Sequence, residues 1–217
     1  MSAHAVSRHG GGADPHQLGH GETPISERGP APLHIVVAYG FWIFLLSDFI
    51  LFSGFFAAYA VLVGETAGGP SGRELFDLPL VAWETAALLL SSFAAGLASV
   101  AMLARNSWWF QVAMAVAALF GAAFLCGELY EFVHLIGEGN GPDRSAFLSS
   151  FFALVGCHGL HVAIGLTWLT TMMAQVWAKG FREDIVRRVQ CFMLFWHALD
   201  IIWVALFTVV YLLGSGV

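Results

Sequence analysis

Five long apolar stretches, set apart by short runs of Gly, Pro and charge, limit this chain more than any other feature. They lie at about Ile35–Val63, Leu78–Ala104, Ser107–Ile136, Phe147–Trp177 and Val189–Leu213. A helix needs roughly 20 mostly apolar residues to cross a hydrocarbon layer about 30 Å thick, and all five exceed that length. Tilting, or extension into the headgroup region, takes up the excess. The breaks read GETAGGPSGRELFD, GEGNGPDRS and KGFREDIVRR, whereas the second and third stretches nearly meet at Arg105-Asn106. No internal repeat with a period of roughly 20–50 residues is present, so this is no solenoid. The expected fold is all-α: a polytopic membrane protein whose five transmembrane helices make up one domain over residues 35–217.

Composition supports the same reading. Of 217 residues, 58% are hydrophobic and 11% charged, where an average soluble domain carries about 25% charge. That surplus is too large to hide inside one water-soluble globule. Nine Lys and Arg against fifteen Asp and Glu leave no basic face for nucleic acid. No G-x-G-x-x-G or G-x-x-x-x-G-K occurs, which removes the soluble dinucleotide and P-loop enzymes. Residues 1–34 differ in kind, holding Gly, Pro and the histidines His4, His9, His16 and His20. They read as a disordered cytoplasmic tail, and the irregular histidine spacing argues against a defined metal site. No short apolar run with a small-residue cleavage site precedes the first span, so no signal peptide is expected.

Basic residues set the expected orientation. With a cytoplasmic N-terminus, Arg8, Arg28, Arg105, Lys179, Arg182, Arg187 and Arg188 fall inside, and only Arg73 and Arg144 fall outside. That asymmetry follows the positive-inside rule and puts the C-terminus in the periplasm.

The formal charge of −6 misleads, because Asp48, Glu84, Glu128, Glu131 and Asp200 sit within the spans. A charged carboxylate at bilayer depth costs roughly 2.5–3.5 kcal/mol even on lenient insertion scales. No Lys or Arg lies in a span to pair with these acids. The available partners are His134, His158, His161 and His197, with Trp, Tyr and Ser side chains, which favours hydrogen-bonded or uncharged carboxyls over ion pairs. Glu128, Glu131 and His134 repeat every three residues on one drifting helical face, as do His158 and His161. The expectation is a buried polar cluster between the second, third and fourth spans.

Several chemistries are open to these residues. Glu131-Phe-Val-His134 has the Glu-x-x-His spacing of di-iron carboxylate bundles, but such a site needs two of these pairs and only one exists. His158 and His197 could in principle hold a haem between helices. Cys126, Cys157 and Cys191 lack C-x-x-C spacing and read as packing residues. Gly54, Gly96, Gly156, Gly159 and Gly165 would let helices approach closely, and Trp108, Trp109 and Trp177 would mark membrane interfaces. A transporter would more typically show internal symmetry or broken helices. From the residues alone, a membrane subunit, an independent di-iron or haem enzyme, and a proton transporter all remain open.

Four stretches narrow that choice by resemblance. Tyr39–Tyr59 (YGFWIFLLSDFILFSGFFAAY), Glu128–Ile136 (ELYEF and the following HLI), Phe151–Leu169 (FFALVGCHGLHVAIGLTWL) and Phe195–Ser215 (FWHALDIIWVALFTVVYLLGS) are similar, in order, to subunit III of the haem-copper respiratory oxidases. Five spans, together with Ala58–Pro79 and Gly141–Gly156, resemble the cytochrome bo-type, ubiquinol-oxidising branch more than the cytochrome c oxidase branch, which usually has seven helices. The resemblance implies a non-catalytic subunit of a proton-pumping oxidase in the bacterial inner membrane. It implies no cofactor on this chain, with haems and copper on subunit I, and contacts with subunit I, with subunits II and IV and with phospholipid. Residue by residue, Asp48 takes the family's membrane-buried acid position, where a Glu is usual. Glu131 takes the Glu of a Q-x-x-E-Y run, with Glu128 at the Gln and Phe132 at the Tyr. His158, His161, His197 and Asp200 match as they stand. With Glu84 and His134, these residues form the candidate buried network or docking surface.

Overall fold

The computed structural model describes residues 33–214. Among them are helices and loops only: α1 (Leu33–Leu62), the single turn α2 (Gly72–Leu75), α3 (Leu78–Leu103), α4 (Ser107–Gly137), α5 (Ala146–Lys179) and α6 (Glu183–Leu206), which runs on as a π-helical ending over Phe207–Leu213. Five helices are long and apolar enough to cross a membrane. The expected tail lies outside the described residues except at its end, where α1 starts two residues before Ile35.

Local chemistry explains the helix ends. Asp77, Asn106 and Ser145 accept from the backbone N–H groups of Leu80, Trp109 and Leu148, satisfying donors that the first turn leaves free. Gly180, at φ +67°, stops α5 in a conformation that side chains disfavour. The fifth span begins earlier than its hydropathy suggests. Arg187 and Arg188 interrupt the apolar run, yet Ile185, Val189 and Phe192 are buried, so the charged start belongs to one amphipathic helix. Glu183 and Asp184 sit in its first turn, where the helix dipole favours acids.

α3 packs on α4, α4 on α5, α5 on α6 and α6 back on α3, closing a four-helix ring; α1 lies outside it, against α5 and α6. Only 11% of the most apolar stretch of α1 is buried, against 50% for α5 and α6. One end of the molecule carries α2 and the α4–α5 loop; it is called the α2 end here. The opposite end carries the α3–α4 and α5–α6 turns, which Arg105 joins by donating to the Phe181 carbonyl at 2.7 Å.

Interhelical hydrogen bonds stitch the ring where a bilayer would give polar atoms no other partner. The Trp196 indole N–H donates to Ser91 Oγ at 3.1 Å, and Ser91 donates to the Ala117 carbonyl at 2.7 Å, so one relay ties α6, α3 and α4. Trp203 donates to Thr85 at 3.0 Å, and Gln111 to the Met173 carbonyl at 2.8 Å. Trp196 fills the space left by two glycines: a methyl at Gly121 or Gly165 would meet its ring at 2.9 or 2.7 Å. Trp108, Trp109 and Trp177 project outward at the opposite end, and Trp83 and Tyr130 near the α2 end, as aromatic belts do at two interfaces.

Candidate functional site

Glu84 on α3, Glu128 and Glu131 on α4 and His158 on α5 come together inside the ring, all of them buried. α3 enters and α4 leaves at the α2 end, so their carboxyls meet at similar depth. At about 1.5 Å per residue, Glu84 and Glu131 lie ~9 Å from that end, Glu128 ~13 Å and His158 ~18 Å. His158 Nδ1 approaches Glu128 Oε1 at 3.9 Å, and its Nε2 faces the Leu199 carbonyl at 3.3 Å. The Tyr211 hydroxyl donates to Glu131 Oε2 at 2.8 Å. Glu84 lies against α4 at Gly127, and Glu128 against α5 at Gly159. Phe124 and Trp203 pack on the His158 ring, with centroids 5.7 and 5.1 Å away.

His134 does not join this cluster. Three-residue steps advance about 300°, so each turns roughly 60° back around the helix. Two steps beyond Glu128, His134 has left the buried face; its side chain is 54% exposed and lies 3.8 Å from Glu138. The Glu-x-x-His pair therefore diverges, with Glu131 turned inward to Tyr211 and His134 outward.

Asp48 and His161 form a second setting, on the seam between α1 and α5. Phe41, Leu45, Asp48, Phe52, Phe55 and Tyr59 alternate at four and three residues, the stripe of a helix packed on a neighbour. Leu45, Phe52 and Tyr59 are buried along it. Asp48 interacts electrostatically with His161, whose Nδ1 is 2.7 Å from the Cys157 carbonyl and whose ring lies 5.3 Å from Phe52.

His197 and Asp200 form a third, near the outside of α6. His197 is exposed, with Nδ1 2.7 Å from the Met193 carbonyl. It lines a groove of about 580 Å³ with Ala38, Ser99 and Gln190. Asp200, half-buried beside Ser92, interacts with both His197 and His158. The nine candidates thus divide among three places.

Sequence reasoning missed the residues that complete the interior. Tyr211 stands 80 residues from Glu131, and no local pattern links them. Trp196 and Trp203 are seven residues apart, a spacing that puts both on one face, and both are buried. That signal was available in the W-H-x-x-D-x-x-W run. Cys126, expected to pack, is exposed. Gly54 and Gly96 touch nothing within 4 Å of an added methyl, so close approach uses Gly121, Gly127, Gly159 and Gly165 instead.

Chemically, the interior can exchange hydrogen bonds and protons. The two potential haem ligands do not face one another: His158 is enclosed by Phe124, Trp203 and Phe52, whereas His197 is on the outer surface. Glu128 and His158 are the nearest acid–imidazole pair, and no third acid, histidine or cysteine among the described residues completes a metal-binding group with them.

Comparison with known proteins fixes the lineage. A cytochrome bo(3) ubiquinol oxidase subunit 3 from Pseudomonas aeruginosa is 47% identical over 215 residues, covering 99% of this chain and 100% of the relative. The protein of the same name from Pseudomonas putida is 53% identical over 175 residues, 81% of this chain and 84% of the relative. A Bacillus sp. protein named cytochrome c oxidase subunit 3 is 41% identical, over 81% of this chain and 84% of the relative. The family model described as cytochrome c oxidase subunit III matches residues 27–215, and this chain belongs to that family.

Proposed function

We propose that this chain is the non-catalytic third subunit of a cytochrome bo-type ubiquinol oxidase, the complex that oxidises quinol, reduces oxygen to water and pumps protons. The observation that carries the reading is 47% identity running the whole length of a relative of that name. The chain is a multi-pass protein of the bacterial inner membrane and takes part in enzyme activity as one subunit of the complex. Haems and copper belong to subunit I in this reading, with subunits II and IV completing the assembly.

The basic residues support an N-terminus in the cytoplasm, which puts the α2 end and the C-terminus on the periplasmic side. We assign the three polar settings to packing. Glu84, Glu128, Glu131 and His158 hold the ring's interior; Asp48 and His161 fix α1 on α5; His197, Asp200 and His134 face outward, toward lipid or a neighbouring subunit. Support for docking at α1 comes from its small buried share, since most of that helix is free to meet subunit I.

The test is mild-detergent purification through a tag on this chain. A haem spectrum arriving with a large hydrophobic partner, and turnover with ubiquinol but not with reduced cytochrome c, is the expected result. Turnover with reduced cytochrome c would move the chain to the cytochrome c branch. Haem or iron remaining on the isolated chain would overturn the non-catalytic reading.

A further inference from the structure

Three observations meet inside the ring beneath the α2 end. Polar atoms there are closed off without a hydrogen-bond partner: both carboxyl oxygens of Glu84, Oε1 of Glu128 and Nδ1 of His158. Buried polar atoms in folded proteins are nearly always satisfied, by protein or by ordered water. Room for the carboxyls has been kept by glycine on both neighbouring helices: a methyl at Gly127 would lie 2.5 Å from Glu84 Oε1, and one at Gly159 would lie 2.6 Å from Glu128 Oε2. Above the cluster a cleft of about 260 Å³ opens at the α2 end, with Glu131 and Leu80 in its wall and Glu74, Asp77, His134 and Glu138 around it. Leu80 and Glu131 lie one turn above Glu84 and Glu128, respectively. In the other direction the way is walled by Phe124 and Trp203 against His158, whose Nε2 faces the Leu199 carbonyl.

We propose that Glu84, Glu128 and His158 enclose a small hydrated proton-binding site, and that it exchanges water and protons with the aqueous phase at the α2 end through Glu131 and the cleft above it. The ligand class is water and the proton, which three neighbouring carboxyls with no basic residue in any span are suited to share. A proton from cleft water binds a Glu131 oxygen while the Tyr211 hydroxyl holds the other. It then passes through water to Glu84 or Glu128, and only O–H bonds form or break. The groups that face the site are Glu84 from α3, Glu128 and Glu131 from α4, His158 from α5, Asp200 from α6 and Tyr211 from the π-helical ending, with Asp77 at the cleft. The inference goes beyond a packing role and does not depend on which electron donor the complex uses.

Infrared difference spectroscopy of the intact purified complex, followed through exchange from H2O to D2O, tests it. The carbonyl stretch of protonated carboxylic acids should be present, should shift in D2O, and should lose a component in Glu84→Gln and another in Glu128→Gln. Glu131→Leu should keep those components but slow their shift roughly tenfold, because exchange then waits on local opening of the ring. Absence of any component lost in Glu84→Gln overturns the site, and an unchanged shift rate in Glu131→Leu overturns the route. If Glu128→Gln does not assemble, Glu84→Gln carries the first test, and a map of the unaltered complex gives a second. Ordered water within hydrogen-bonding distance of Glu84 supports the site, and apolar packing there overturns it. Haem content of the same preparation reports separately on whether the chain belongs to an oxidase.

Discussion

α1 and the four-helix ring are built from equally apolar residues yet are held in opposite ways. Inside the ring, indoles, hydroxyls and an amide cross between helices, and the relay from Trp196 through Ser91 to the Ala117 carbonyl joins three of them. Between α1 and the ring the polar links are fewer: Tyr59 donates to the Val210 carbonyl at 3.2 Å, and Asp48 faces His161. The remainder of that seam is aromatic, with Phe41 on Trp168 and Phe52 on His161. In a bilayer, lipid tails are as apolar as leucine, so association rests on packing and interhelical hydrogen bonds. The ring has both in quantity. α1 is a helix lodged in a groove, held by shape and a few polar contacts.

The sharpest way to break this contrast is Trp196→Ala. It opens a cavity between Gly121 and Gly165 and strands Ser91, and such losses cost about 3–5 kcal/mol. Thermal unfolding of the purified complex should drop steeply and the subunit should be lost on size-exclusion; unchanged retention would mean the ring is not the rigid part. Gly159→Ala pushes a methyl onto the Glu128 carboxyl and should cost about 1–3 kcal/mol, seen as a lower unfolding midpoint. The same change at Gly54, which touches nothing, should be silent. On the α1 side, Tyr59→Phe removes one interhelical bond and should cost about 0.6 kcal/mol. His161→Ala should loosen α1 enough to lower subunit retention in detergent, and full retention would refute a packing role for that histidine. Asp48→Asn should change least: turnover and proton-to-electron stoichiometry stay at full value. A fall in stoichiometry would show that the acid on this seam relays protons, and the two regions would then differ in chemistry as well as in packing.

The spans were legible because hydropathy over twenty residues is a strong signal, and four of the five helices begin within two residues of their expected starts. The fifth was not, since a count of apolar residues cannot see that Ile185 and Val189 share a face beneath Arg187 and Arg188. The cluster of Glu84, Glu128, Glu131 and His158 followed from three-residue spacing and shared depth, but that spacing also carries His134 off the face, a rotation a list of motifs conceals. The pairing of Asp48 with His161 was not legible. It depends on α1 crossing past its sequence neighbour α3 to lie on α5 and α6, an order set by tertiary packing. The same holds for Tyr211, whose contact with Glu131 requires the whole ring to close.

The ending at Phe207–Leu213 carries a consequence of its own. Its wide turns take in more residues per revolution than the α-helix before it, while Tyr211 still reaches Glu131 and Val210 still offers its carbonyl to Tyr59. Removing one residue between Phe207 and Val210 would restore ordinary helical pairing, yet swing all that follows by about 100°. Tyr211 would leave Glu131, and the Tyr59 hydroxyl would lose its acceptor. In this stretch the number of residues is fixed more tightly than their identity: conservative exchanges should pass where a single deletion undoes contacts to two other helices at once.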